Sequence, residues 1–198
     1  MRRTKRGRNF EITMLRLTGG GWRGRKIPPL PNAKIRPSTG RVREALFNSL
    51  GAMDGLRCLD LFAGSGALGL EAASRGAAEV WLVERHRPSA NRIRQTAAAL
   101  IPNGGGIRII AKCAHRFLSS ADVGGGGGFD IIFMDPPFDA MRDDGVWRRL
   151  LAAAHHHLAT DGIVYLESAR RLTPFAPWRE KTARRAGGVY WHLWRAAQ

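Results

Sequence analysis

The sequence predicts an α/β fold with a doubly wound, Rossmann-like sheet and a small N-terminal β-hairpin and helix extension. Three observations predict it. The apolar run from Leu56 to Phe62 leads into Gly64-Ser65-Gly66, and a helical pattern follows over 67–75. Short apolar segments then alternate with helical ones. The last segment, 189–195, has the residue alternation of a terminal strand. In such a sheet a ligand binds in the crevice at the carboxyl ends of the strands.

Length and composition allow one such domain with a modest appendage. The chain has 198 residues, 44% of them apolar, which is enough for a real core. No uncharged apolar run is long enough to span a membrane. Cys58 and Cys113 fall in apolar, strand-like runs and are expected to pack as small hydrophobic residues in a reducing, cytoplasmic setting. A monomer is expected because the sequence shows no apolar surface stripe.

The charge balance favours a polyanionic partner. Lys and Arg total 32 against 16 Asp and Glu, which gives a formal net charge of +16. Nearly all of the excess is arginine, which binds phosphate bidentately and stacks on bases. A high-GC coding bias would explain the choice of arginine over lysine, but not the size of the net charge. Nucleic acid is therefore the expected partner.

The segment before the sheet is predicted to contact that partner. Residues 1–13 are predicted to be a disordered basic arm without the apolar stretch of a secretory signal, and a start at Met14 stays open. Residues 14–55 follow as a hairpin, at 15–27, and a helix at 40–50. Cations at the start of this helix oppose its dipole unless an anion offsets them. The candidate RNA contacts of these elements are Trp22, Arg23, Arg25, Arg36, Arg41 and Arg43.

Residues 56–198 are predicted to form the main domain. After the first strand, further strands are predicted at 79–84, 107–111, 129–134 and 162–167, and helices at 88–100 and 145–158. A hairpin that pairs 178–185 with 189–195 ends the domain. The run His155-His156-His157 lacks the spacing with acids that a metal site needs, so it is interpreted as a surface helix end and no metal is expected.

The glycine turn is expected to bind a nucleoside-containing cofactor. Gly64-x-Gly66-x-x-Gly69 matches the dinucleotide fingerprint, which alone is weak evidence. Asp60 lies inside the preceding strand, where its carboxylate suits the sulfonium and ammonium of S-adenosylmethionine better than a pyrophosphate. The structural alternative is a capped turn with a buried, hydrogen-bonded aspartate. Glu84 follows about 20 residues after the glycines, where an acid can accept hydrogen bonds from both ribose hydroxyls of either cofactor.

The turn Asp135-Pro136-Pro137-Phe138 follows the strand at 129–134 and is the candidate catalytic motif. Its prolines have no N–H groups, so the Asp135 carboxylate and the Pro136 carbonyl remain as acceptors, while Phe138 offers a stacking face. Two acceptors and an aromatic ring suit a flat amine such as the exocyclic NH₂ of a nucleobase. Acceptors outside the ring plane would turn the amine lone pair toward a sulfonium methyl group, and the remaining task is in-line positioning.

Together these motifs resemble the amino-directed class I S-adenosylmethionine-dependent methyltransferases, and within them the RsmD family. The resemblance rests on segments 20–26 and 36–48, the glycine motif and the turn at 135–138, and extends from about residue 14 to the C-terminus. It implies a class I methyltransferase sheet and an enzyme that methylates the N2 amine of guanine 966 in bacterial 16S rRNA. The implied partner is 16S rRNA or the small ribosomal subunit, and the choice between them stays open.

The resemblance also implies roles for single residues. Asp60 and the glycine turn would hold the methionine end of the donor, and Glu84 the ribose. Asp135 and Phe138 would hold the guanine. The full set of implied donor contacts is Asp60, Phe62, Ala63, Gly64, Ser65, Gly66, Glu84, Arg85, Cys113 and Ala114.

Two positions depart from the family pattern. Gly40 stands where the family usually has an acidic residue, so a contact from that position is missing or moved. Cys113-Ala114 stands where an Asn or Asp commonly meets the adenine amine. Adenine recognition is therefore expected to use the backbone N–H of Ala114.

The sequence leaves three alternative functions open. An NAD-dependent oxidoreductase leaves Asp60, the turn at 135–138 and the arginine excess unexplained. A DNA or RNA methyltransferase of adenine N6 or cytosine N4 fits the turn, but the chain is too short for a domain that reads a duplex sequence. Guanine is favoured because its N1–H and N2–H donors together match one acceptor-only carboxylate. A non-catalytic RNA-binding protein with the same fold is the third alternative. Any target base must be flipped or single-stranded to reach the turn.

Overall fold

The computed structural model describes residues 14–29, 39–101, 105–120, 127–137, 143–186 and 188–197. The N-terminal elements are β1 (Leu15–Arg16), β2 (Lys26–Ile27) and α1 (Thr39–Leu50). The basic arm at 1–13 lies outside the described residues. No helix within the described ranges is long and apolar enough to cross a membrane.

The main domain alternates strands with helices and ends in three strands. Its first half comprises β3 (Arg57–Asp60), α2 (Ala67–Ser74), β4 (Glu79–Val83), α3 (Arg87–Leu100) and β5 (Ile107–Ile110). Its second half comprises α4 (Ala114–Leu118), β6 (Phe129–Met134), α5 (Asp144–His155), β7 (Leu158–Ser168), β8 (Trp178–Ala186) and β9 (Val189–Ala196).

The sheet has seven strands in the order β5-β4-β3-β6-β7-β9-β8. The first five are parallel, whereas β9 runs antiparallel to both β7 and β8. The chain moves outward from β3 to β5 on one side and then continues from β6 on the other. The strand order therefore reverses between β3 and β6, where doubly wound sheets bind their ligands. The predicted Rossmann-like sheet is confirmed.

Helices cover both faces of this sheet. Side chains of α1, α2 and α3 pack on one face, which we call the α1 face, in a cluster that includes Phe47, Phe133 and Tyr165. Side chains of α4 and α5 pack on the other, the α5 face, around Trp147 and Trp194. The hairpin β1–β2 forms a smaller cluster with α2 and α3. Strands buried on both faces require the near-continuous apolar runs that the sequence shows.

The structure differs from the sequence-based prediction in a few places. The strands of the N-terminal hairpin are only two residues long, because the backbone N–H groups of Thr18, Gly19, Gly21 and Trp22 bond to α2 instead. The helix α4 was not predicted, since five residues show too little periodicity. Cys58 is buried in β3 as expected, but Cys113 is exposed and follows β5 as the residue before α4. The prediction of Cys113 as a packed strand residue is therefore wrong.

Candidate active site at the switch point

The glycine turn after β3 has the backbone that close packing requires. Gly64 and Gly66 have φ values of 55° and 81°, in the left-handed region that glycine adopts readily. A Cβ atom on Gly66 would lie 3.1 Å from Ile93 and 3.2 Å from Leu70. The backbone N–H of Gly66 donates to the carbonyl of Ala63 at 2.6 Å, which closes the turn against the start of α2.

Asp60 lies below this turn with one oxygen unpaired. Its side chain is 1% exposed, and its Oδ2 accepts a hydrogen bond from the backbone N–H of Gly69 at 3.1 Å. Its Oδ1 is buried with no partner among the described residues. Burial raises the pKa of Asp60 to about 7, although backbone N–H groups of Gly69 and Phe62 oppose the rise. A buried carboxylate with an unpaired oxygen suits a cationic group such as an ammonium or sulfonium.

Glu84 joins the end of β4 to the same turn. Its Oε2 accepts from the backbone N–H of Gly64 at 2.8 Å, and its Oε1 accepts from that of His86 at 2.7 Å. The structure thus brings Asp60, the glycine turn and Glu84 together at the ends of two neighbouring strands. Arg85 is exposed beside them. A nucleoside in this crevice would meet the glycine backbone on one side and the Glu84 carboxylate on the other.

The segment with Cys113 and Ala114 follows β5, the next strand along the sheet after β4. β5 pairs with β4, and Glu84 donates its backbone N–H to the carbonyl of Ile110 at 3.0 Å. Cys113 is exposed, and Ala114 is buried as the first residue of α4. The three strand ends that were expected to contribute donor contacts therefore lie side by side.

Asp135 follows β6 on the opposite side of the glycine turn. Asp60 is paired in register with Phe133, two residues before Asp135, so the two carboxylates belong to neighbouring strand ends. Pro136 is buried and Pro137 is exposed. Phe138, the predicted stacking residue, lies outside the described residues. A donor in the crevice and an amine at Asp135 would thus occupy adjacent positions.

Two residues of β7 that were not singled out from the sequence also lie at this edge. Tyr165 is paired with Phe133, and its buried hydroxyl donates to Oε2 of Glu167 at 2.8 Å. Burial together with the negative charges of Glu167, Asp135 and Asp60 raises the pKa of Tyr165 well above its usual value. The signal available in the sequence was an acid at the end of an apolar strand, as at Glu84.

The N-terminal hairpin is held by a buried carboxylate in α2. Glu71 is fully buried, and its oxygens accept from Thr18 N–H at 2.8 Å, Thr18 Oγ1 at 2.7 Å and Gly19 N–H at 2.7 Å. It also pairs with Arg43 at 3.1 Å and Arg75 at 2.9 Å. Burial would raise the pKa of Glu71, but the hydrogen bonds from Thr18 and Arg75 and the charge of Arg43 outweigh it and hold the pKa below its usual value.

This arrangement corrects one predicted RNA contact. Arg43 is 4% exposed, and besides Glu71 it donates to the carbonyl of Arg16. The anion that offsets the charge of Arg43 is thus Glu71, and the prediction that Arg43 contacts RNA is wrong. Glu71 was missed because a single acid in a short apolar helix looks like a solvent-facing residue.

The other predicted RNA contacts have mixed surroundings. Arg23, Arg25 and Arg41 are exposed. Trp22 is half-buried against the cluster formed by the hairpin with α2 and α3. Arg36 lies outside the described residues. The exposed cations remain available to a polyanion, whereas much of the Trp22 ring serves packing.

Comparisons with known proteins agree with this geometry. A family model described as Conserved hypothetical protein 95 matches residues 15–195. Ribosomal RNA small subunit methyltransferase D of Escherichia coli K12 is 36% identical over 193 residues, which cover 91% of this chain and 89% of that protein. The Haemophilus influenzae protein of the same name is 33% identical over 158 residues, 79% of each chain.

A solved structure is also similar to this chain over most of its length. An Escherichia coli protein provisionally named a methyltransferase superposes with a TM-score of 0.78 at 35% identity, covering 93% of this chain and 99% of that chain. The similarity therefore includes the N-terminal hairpin and the terminal strands as well as the central sheet.

Proposed function

The chain belongs to the family described as Conserved hypothetical protein 95, and on that premise we propose that it transfers a methyl group from S-adenosylmethionine to the N2 amine of a guanine in 16S rRNA. At the coarser level it is an S-adenosylmethionine-dependent methyltransferase, and its relatives' names indicate that the substrate class is rRNA. The finer assignment, to guanine N2 and to nucleotide 966, is our proposal. We also propose that the enzyme acts as a monomer in the cytoplasm.

The observation that carries the proposal is the pair of acidic strand ends on either side of the glycine turn. Asp60 has a buried oxygen without a partner among the described residues. Asp135 comes two residues after Phe133, which pairs with Asp60 on the neighbouring strand. S-adenosylmethionine supplies an electrophilic methyl group when bound. Asp60 and the glycine turn would hold its methionine end, Glu84 the ribose, and the backbone N–H of Ala114 the adenine.

Asp135 is assigned to the target amine. Its carboxylate and the Pro136 carbonyl accept hydrogen bonds from the amine, which directs the nitrogen lone pair out of the base plane and toward the methyl group. The nitrogen–carbon bond would form as the carbon–sulfur bond of the donor breaks, which would leave the donor sulfur as a neutral thioether and the amine nitrogen positively charged until it loses a proton to water. The Asp135 carboxylate is adjacent to that nitrogen and accepts its hydrogen bond, so it stabilises the charge until the proton leaves.

The experiment is methyl transfer from labelled S-adenosylmethionine to small-subunit particles and to naked 16S rRNA, followed by nucleoside analysis. We expect the label in N2-methylguanosine, and the better substrate identifies the natural one. Label in N6-methyladenosine or N4-methylcytidine would keep the mechanism but overturn the choice of base. Binding of the donor with no transfer to either substrate would refute the proposal.

A matched pair of variants tests the role of Asp135. Asp135→Ala is expected to abolish transfer while RNA binding survives, because the residue acts on the amine and not on the RNA backbone. Glu167→Gln, one strand away, keeps the size of its side chain and serves as the comparison at the same edge. Retained transfer in Asp135→Ala would contradict the assignment.

A further inference from the structure

Four cations lie along the edge of the sheet that is farthest from the donor crevice. β8 is the edge strand, and it carries Arg179, Lys181 and Arg184, while Arg195 lies on its neighbour β9. We call these four residues the β8 stripe. Arg179, Lys181 and Arg195 line one concave surface.

The three arginines of the β8 stripe lie on the α1 face of the sheet. Arg179 is directly opposite Arg195, which is opposite Ile163 of β7, a residue of the α1-face cluster. Arg184 is opposite Trp191 of the same cluster, and its guanidinium lies 5.8 Å from the centre of that ring. Because residues directly opposite each other point to one face, the three arginines share the face that carries α1. Lys181 lies at the register irregularity between Glu180 and Thr182 and belongs with Arg179 and Arg195 at the concave surface.

The cations of the β8 stripe are not neutralised within the described part of the chain. No hydrogen bond or ion pair there joins any of the four to a carboxylate, although Asp161 and Glu180 also line the concave surface. Glu180 instead accepts from Arg171 at 2.8 Å. Arg179 and Arg195 thus face each other as like charges, an arrangement that costs stability in a free protein. An external polyanion would remove that cost.

One end of the β8 stripe, at Arg184, lies near the ends of the strands where Asp135 is found. Trp191, under Arg184, is opposite Glu167 of β7, and β7 pairs with β6, the strand that Asp135 follows. Arg179 and Arg195 lie toward the opposite end of the strands, because Arg195 pairs with Ile163, which precedes Glu167 in β7.

From this placement we propose that the β8 stripe is a second RNA contact surface, which binds the phosphate backbone of the rRNA strand that flanks the target base. The inference rests on the proposed function, since it takes the RNA to be the substrate of Asp135. It adds a surface at the C-terminal hairpin to the contacts expected from the N-terminal extension. The target strand would then be held on both sides of the active site.

A simpler explanation accounts for only part of the β8 stripe. Cations on an edge strand block pairing with another sheet, and Arg179, Lys181 and Arg184 all lie on such a strand. Arg195 lies on the inner strand β9, where no edge needs blocking, and it opposes another arginine. Protection of the edge therefore does not explain why the two arginines face each other.

The test combines Arg179→Gln, Lys181→Gln and Arg195→Gln in one variant of the full chain. Its affinity for a 16S rRNA fragment is measured at several salt concentrations. If three phosphate contacts are lost, the slope of log affinity against log salt should fall by about 2, with roughly tenfold or greater loss of affinity at low salt. The thermal unfolding midpoint should stay unchanged or rise, because the like-charge pair is removed.

A control variant removes the same charge from the α5 face. Lys112→Gln, Arg116→Gln and Arg149→Gln change three exposed cations on or beside α4 and α5. An equal loss of affinity in both variants, or an unchanged salt slope in the first, would overturn the inference. Failure of the wild type to bind or methylate rRNA would instead refute the proposed function itself, so the two failures are distinguishable.

Discussion

The sharpest test of the fold is to remove the charge of Glu71, which joins the N-terminal hairpin, α1 and α2. In Glu71→Gln, the buried guanidinium of Arg43 would lose its counter-charge, and Arg75 would lose its partner four residues away. The N–H groups of Thr18 and Gly19 would share one neutral oxygen in place of a carboxylate. The substitution keeps the shape of the side chain, so its effect reports electrostatics and hydrogen bonding.

The expected cost is large because the pair is buried. Removal of one partner from a buried ion pair costs about 3–5 kcal/mol, since the other charge is left unpaired. For a chain of this size, that corresponds to a fall of roughly 6–20 °C in the unfolding midpoint. The folded-state pKa of Glu71 is lowered, so its contribution is present at neutral pH and is lost as the pH falls below the ordinary value of 4.5.

A double-mutant cycle with Arg43→Gln separates the pair from other effects. Glu71→Gln leaves the buried Arg43 without its counter-charge, and Arg43→Gln leaves Glu71 with Arg75 alone, whereas the double variant leaves neither charge of the pair. The double variant should therefore lose less than the sum of the two singles, with a coupling of at least about 1 kcal/mol. Hydrogen exchange at Thr18 and Gly19 distinguishes local release of the hairpin from global unfolding.

Two results would refute this reasoning. Additive losses in the cycle would mean that Arg43 and Glu71 do not stabilise each other. A fall in the salt slope of RNA binding for folded Arg43→Gln would mean that Arg43 reaches the RNA after all. The structure predicts an unchanged slope, because the Arg43 side chain is buried.

The remaining predictions concern the donor site, the hairpin and the thiols. The pKa of Asp60 is raised to about 7; a cationic donor favours its ionised form, so donor affinity should rise with pH up to about 7 and then level off, and Asp60→Asn should remove this dependence in calorimetric titrations. Gly20→Ala should lower the unfolding midpoint more than Gly24→Ala: both positions have positive φ, but only at Gly20 would a Cβ lie 1.7 Å from a carbonyl oxygen of α2. A thiol reagent should modify Cys113 in the native protein and not Cys58, whose burial raises its pKa to about 12.

The order of strands and helices could be predicted because the sheet is buried on both faces. Each parallel strand had to be a short apolar run, and the strand at 129–134 matches β6 at both ends. Ends of elements were less accurate where tertiary contacts extend them. β7 begins at Leu158 and not at Gly162, because Phe129 of β6 pairs with Leu158, ahead of the register irregularity and the positive φ at Asp161.

The site was predictable to the extent that backbone geometry determined it. The glycines marked the turn, and acids at strand ends marked Asp60 and Glu84, so their convergence followed from the parallel sheet. Glu71 could not be found in this way, because its partners Thr18 and Arg43 lie more than 25 residues away along the chain. A long-range hydrogen-bond network has no period in the sequence.

The same contrast applies to the arginines, whose excess was the strongest compositional signal. Net charge indicates a polyanionic partner but does not say which cations meet it. Arg43 and Arg75 are neutralised internally by Glu71, and Arg57 pairs with Glu79 at 2.9 Å. The cations that matter for RNA are those that folding leaves exposed and without a carboxylate. By that criterion the C-terminal hairpin is as good a candidate for RNA contact as the N-terminal segment. Motifs in the sequence marked only the N-terminal segment.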